Sequence, residues 1–352
     1  PSTTASLKRH LYPVPIVGEG VMDSLDEFRR VADKVRNWGR WGPDDQLGTL
    51  NFIDADKIRE SAALVKKGKA ISLGADFGPD GPQQGTSPLR INPLLFMAVD
   101  GGDGEEYCER VAHYCHSRAK SIADWRSDGD LFRFNEDYIV MPLQACTQWD
   151  ALSHVYYEGK LYNGFPANSV TSQGAAKNSI HAVGAAGGIV SRGVLFDVAR
   201  HRGVDFIDGG PLIEPDELDE IAADKGIELR RGDVVLIRIG WWNQFYKTGV
   251  GTDLGNGVSW HIAEWLHQHE IAAIAADNHA VEGFHVRDSE ASFLPLHLIA
   301  QRDMGLHMGE LFELEELAAD CAEDGVYEFQ FIAPPLRIVG AVGSPLNPIA
   351  IK

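Results

Sequence analysis

The sequence predicts a mixed α/β protein, and three observations carry that prediction. Helical and extended patterns alternate along the chain. Several extended stretches are short, continuously apolar and β-branched, as fully buried strands are. A chain of 352 residues, 44% of them apolar, also has the material for a large core. No long Pro/Ser/Gly linker, charge block or repeat divides it, so residues 37–352 read as one domain and residues 1–36 as an N-terminal arm.

Each element has a local signal. Asp54 can cap a helix running to Gly68, Pro215 can open one that stops near Gly226, and Ser259 precedes one reaching Glu270. Pro295 suits a first helical turn and Gly305 a stop, while Phe312 to Cys321 is helical in pattern. Strands are expected at 71–74, 138–143, 194–198, 233–240, 271–276, 328–333 and 336–342.

A net charge of −19 argues against nucleic acid or an anionic membrane as a partner. The longest basic cluster, Lys66-Lys67-Gly68-Lys69, lies at an expected helix end, where cations suit the helix dipole. No apolar run approaches the ~20 residues a membrane span requires, and no basic-then-apolar leader is visible. Four cysteines, at 108, 115, 146 and 321, are too sparse for a disulfide framework, so a soluble protein of a reducing cytoplasm is expected.

The chemistry concentrates in Gln144-Ala145-Cys146-Thr147-Gln148-Trp149-Asp150-Ala151-Leu152-Ser153-His154. Gln144, Gln148, Asp150 and His154 share one parity, so extended backbone would point them to one face. Gln148 and Asp150 would then lie roughly 7 Å apart along a strand, near enough to converge on one ion, while Gln144 and His154 need bends to join them.

This segment resembles the signature of the cyclase family of metal-dependent hydrolases, which includes kynurenine formamidases, isatin hydrolases and trans-dienelactone hydrolases. The signature runs His-x-Gly-Thr-His-x-Asp-x-Pro-x-His. Its leading histidines fall on Gln144 and Gln148, its Gly on Cys146, its Thr on Thr147, its Asp on Asp150, its Pro on Leu152 and its last His on His154. A second segment, Leu296 to Glu310, is similar to the part of the family that closes the metal site, with His297 and Glu310 as the matching residues. A helix out from Pro295 and a strand back after Gly305 could bring these two together. Residues 37–51, 188–199 and 231–241 resemble further family segments in the same order, so the similarity runs from about residue 37 to about 343.

The resemblance implies a swivelling β/β/α fold and a homo-oligomer. It also implies a divalent metal held by Gln148, Asp150, His297 and Glu310, with Gln144 as a further candidate, and His154 as acid or base. The implied reaction is hydrolytic opening of a small cyclic ester or amide, such as a lactone, lactam or isatin-like ring. Two amides stand where the family has imidazoles. Oxygen donors favour Mn²⁺ by type while the general affinity order favours Zn²⁺, so both ions stay open. Two other readings stand beside this one: a buried polar network whose members satisfy one another, and a catalytically silent small-molecule binder.

Weaker features complete the inventory. Trp41, Trp149, Trp241 and Trp242 could wall a planar pocket or, as tryptophan more often does, belong to the core. Asp277, in the Asp277–Glu282 segment after an apolar strand, could reach a substrate or simply help end the strand. Cys108, His113, Cys115 and His116 lack the spacing of a zinc knuckle. Gly184 to Gly188 lacks the ending of a phosphate loop and reads as a close-packing turn. No Gly-x-Ser-x-Gly nucleophile elbow is present.

Overall fold

The computed structural model describes residues 24–84, 89–100, 135–250, 255–284 and 289–352. The chain divides into two compact units, one formed by residues up to Ala75 together with Thr147–Lys352, the other by Asp76–Cys146. Cys108, His113, Cys115 and His116 lie outside the described residues.

Strands are numbered in chain order: β1 (Ala70–Ser72), β2 (Leu94–Val99), β3 (Glu136–Val140), β4 (Gln148–Asp150), β5 (Val170–Thr171) and β6 (Gly174–Ala175). There follow β7 (Ile189–Asp197), β8 (Val234–Arg238), β9 (Ala273–Ala276) and β10 (His307–Glu310). The last three are β11 (Glu328–Ala333), β12 (Gly343–Pro345) and β13 (Ile349–Ile351). The larger unit holds a nine-stranded sheet in the order β1-β13-β11-β7-β8-β9-β10-β4-β12.

Its centre, β7 to β10, is parallel. Parallel neighbours require crossovers, and helices Pro215–Lys225, Ile262–Gln268 and the helical stretch from Pro295 to Met304 lie in those connections. The flanks are antiparallel, β11 on β7 and β4 on β10. Apolar runs such as Val234 to Ile237 and Ala272 to Ala276 are fully buried, as the continuous patterning predicted. The mixed α/β class therefore holds.

Particular elements depart from expectation for local reasons. The helix after Asp54 ends at Ala62, where Leu64 and Val65 turn back to carbonyls three residues earlier. The helix expected from Phe312 starts at Glu315, and the amides of Phe312 and Glu313 bond to Ala276 and Leu73. Residues 336–342 form no strand: Pro334 and Pro335 lack amide protons, Gly340 turns the chain at φ 75°, and pairing resumes at β12.

The strand expected at 138–143 is present as β3, which pairs antiparallel with β2 in the smaller unit and leaves Tyr138, Ile139 and Val140 exposed. Within the span expected as an arm, Leu25–Lys34 is a helix that buries Phe28, Val31 and Ala32. The segment after it is tied to the end of the Pro295–Met304 stretch, with Asn37 N donating to Asp303 O and Trp38 Nε1 to Arg302 O. No helix among the described residues is long and apolar enough to cross a membrane.

Candidate metal centre

The cluster is built on the β4–β10 ladder. Glu310 stands opposite Gln148 and Gly309 opposite Trp149. Alternation along β4 sends Gln148 and Asp150 to one face and Trp149 to the other. Trp149 accordingly lies in the core, edge-on to Phe312 and Phe331, with Nε1 donating to Ala333 O. Of the two readings left open for Trp149, pocket wall or core, this is the core position. Gly309 is required beneath it, since a Cβ there would meet the Trp149 and Phe312 rings at 2.7 Å.

On the polar face, Gln148 Nε2 donates to Glu310 Oε2, and the buried Gln148 Oε1 has no hydrogen-bond partner. His297 enters from the helical turn Pro295–His297, with Nε2 3.3 Å from Glu310 Oε1 and 4.0 Å from Asp150 Oδ2. Asp150, His297 and Glu310 are all buried, and one potential ligand atom from each falls within 4.8 Å of the others. The helix-out, strand-back geometry that the sequence suggested is present.

Glu282 orients the imidazole from behind. Its Oε1 accepts from His297 N and from Nδ1, both at 2.7 Å, while Oε2 accepts from Leu296 N at 2.8 Å. A carboxylate on one ring nitrogen fixes the tautomer and directs the other nitrogen forward, as in many metal-ligating histidines. Burial alone would drive this imidazole neutral, but Glu282 and Glu310 outweigh burial and push its pKa up to about 10. The pocket therefore demands positive charge, which either a proton or a cation can supply.

Backbone strain brackets the same residues. Val281, just before Glu282, has φ 60° within a tight turn closed by Glu282 N donating to Ala280 O. Leu311, just after Glu310, has φ 56°. Left-handed conformations of bulky residues cost about 1–3 kcal/mol each and cluster at functional sites. The helical stretch after His297 is also irregular, being a π-helix over Leu298–Met304 where an α-helix was expected.

His154 lies beside Asp150. Its Nε2 is 3.7 Å from Asp150 Oδ2 and 24% of its side chain is exposed. Gln144 belongs to the smaller unit. Asp277, for which substrate contact and a structural role were both open, commits its fully buried carboxylate to the amides of Ile239, Gly240 and Trp241, at the start of helix Trp241–Thr248. Burial pushes that carboxyl up to about 7 despite these bonds. Trp241 is buried against Trp242, Phe245 and His279, and Trp41 packs edge-on to Phe52 beneath Arg40.

Two contributors were not singled out in the sequence. Gln301, on the π-helix, donates through Nε2 to Asp150 Oδ2 at 3.2 Å. His307 faces the Asp150 carbonyl through Nδ1 at 3.1 Å, and burial drives its pKa down to about 4. Four residues beyond His297, Gln301 was at least at helical same-face spacing. His307 carried no comparable signal.

Comparison with known proteins adds the following. The Cyclase family model matches residues 71–283, a span that includes Gln148, Asp150, His154 and Glu282. A crystal structure described as a novel cyclase superposes with TM-score 0.74 at 37% identity, covering 90% of this chain and 100% of the other. Isatin hydrolase A from Labrenzia aggregata, bound to benzyl benzoate, gives 0.54 at 14% identity over 80% of this chain and 93% of its own. An isatin hydrolase bound to the product analogue thioisatinate gives 0.55 at 14% over 85% and 99%. No curated protein matches the chain.

Proposed function

The chain belongs to the Cyclase family, and from that premise we propose that it is a metal-dependent hydrolase that opens a small cyclic ester or amide, a lactone, lactam or isatin-like ring. The observation that carries this reading is the buried meeting of Asp150, His297 and Glu310 within 4.8 Å. Two carboxylates balance a divalent charge, an imidazole supplies a nitrogen donor, and the unpartnered Gln148 Oε1 offers a neutral oxygen. The donor set fits Zn²⁺ or Mn²⁺. That two isatin hydrolases share the fold supports the ring-opening class.

Bound at this cluster, a divalent ion would polarise a substrate carbonyl and make water a competent nucleophile near neutral pH. The remaining work is done by the chain. Glu282 holds His297 with Nε2 toward the cluster, and Gln148 tethers one oxygen of Glu310. His154, partly open to solvent and adjacent to Asp150, can take a proton during attack and return it to the leaving oxygen or nitrogen. Imidazole is the side chain suited to both transfers at neutral pH.

The test is direct. Protein purified without chelators is analysed for bound metal by mass spectrometry and assayed on lactones, lactams and isatin, before and after chelation and with each ion restored. Near-stoichiometric Zn²⁺ or Mn²⁺ with chelator-sensitive ring opening is expected. Absence of metal together with no rescue by either ion would leave a silent small-molecule binder.

A further inference from the structure

Gln301 is fully buried, yet half of its amide is unmet. Nε2 donates to Asp150 Oδ2 at 3.2 Å, while Oε1 has no hydrogen-bond partner. An unsatisfied amide oxygen in the interior is destabilising, so packing alone gives no reason for an amide at this position. The placement explains why an amide stands there. Gln301 projects from the π-helix that begins immediately after His297, so one helical stretch delivers both His297 Nε2 and Gln301 Nε2 to the same carboxylate oxygen. Gln148 does the equivalent for the other acid, donating to Glu310 Oε2 from across the ladder.

We infer that Gln301 is a positioning residue for the metal centre, fixing the rotamer of Asp150 so that its carboxylate meets an incoming cation already oriented. This inference rests on the metal-dependent reading above and adds to it a residue in the shell behind the ligands. Removing the amide donor takes away one of the contacts that hold the Asp150 carboxylate, so an incoming cation would meet a less ordered ligand. Carboxylate-orienting partners of this type are worth roughly 10- to 100-fold in metal affinity.

The experiment uses the full chain and two substitutions. Gln301→Met keeps the volume and removes the donor; Gln301→Asn keeps an amide but shortens its reach. Dissociation constants for Zn²⁺ and Mn²⁺ are measured by competition with a chromophoric chelator, and melting temperatures are taken in excess chelator. A 10- to 100-fold weaker constant in both variants is expected, and the melting temperatures in chelator report separately what losing the donor to the buried carboxylate does to the fold. Unchanged constants in whichever variant folds would overturn the positioning role, since a packing residue would alter melting and leave affinity alone. Wild-type protein that takes up neither ion would overturn the metal reading and this inference with it; wild-type protein that binds, beside variants that bind equally, overturns the Gln301 role alone.

Discussion

Gln148 and Glu310 face each other directly across the β4–β10 ladder, and the amide of the first donates to the carboxylate of the second. The residue that stands where the family signature has a histidine is therefore engaged with the acid on the neighbouring strand, with its own Oε1 unpartnered. Gln148→His should tighten Zn²⁺ binding by about tenfold or more, because imidazole nitrogen is the stronger donor for that ion, and should favour zinc over manganese. Chelator competition on the two proteins reads both effects. Equal affinities would mean that position 148 does not contact the ion.

Asp150 and His154 should separate in their effects although they lie side by side. Asp150→Asn removes a charged donor and is expected to lower metal affinity on the order of a hundredfold while leaving a folded chain. His154→Ala is expected to keep the metal and lose turnover by roughly 10²- to 10⁴-fold, the usual contribution of a general acid–base group. Metal content and single-turnover rates measured on the same preparations decide the matter. Loss of metal from the His154 variant would move that residue among the ligands.

Much of this site was legible because its signals are local. The parity of Gln148 and Asp150 follows from the two-residue period of a strand, and the approach of His297 to Glu310 from a helix that must turn back at Gly305. The same parity rule puts Trp149 on the opposite face, which decides between the core and pocket readings left open for it. Glu282 was harder. Its reach to His297 depends on a strained turn at Val281, a valine that no turn propensity would place at φ 60°. The strand at 138–143 is legible from its apolar run, but hydrophobicity carries no information on which surface covers it, and Tyr138, Ile139 and Val140 are exposed.

Trp149 offers a test of the fold independent of the chemistry. It is fully buried between the Phe312 and Phe331 rings, and Gly309 and Ala275 close the space around it. Trp149→Ala should cost about 3–5 kcal/mol, the range for emptying a large aromatic site in a core. The measurement is urea unfolding with chelator present, so that metal binding does not contribute. A loss below about 1 kcal/mol would place this ring outside a packed core.

The pH dependence of stability should be set partly by a cluster away from the metal centre. Asp320 is buried at one end of the sheet, with Lys67, Lys69 and Lys352 each 3.0 Å from its carboxylate oxygens. Burial by itself would raise its pKa, but the bonds from the three lysines prevail and hold it well below the ordinary carboxylate range. Neighbouring Asp324 is lowered in the same way by Lys352 and Lys67, again against burial. A carboxylate depressed in the folded state contributes stability in full above its unfolded pKa of about 3.9, and that contribution drains away as pH falls from there toward the folded value. The urea midpoint should therefore drop between about pH 5 and pH 2. Asp320→Asn should be less stable than the wild type at pH 7, and the gap should narrow as acid protonates the wild-type carboxylate. A gap that stays constant down to pH 2 would show that the substitution acts through packing, and that the three lysines do not hold Asp320 in its ionised form.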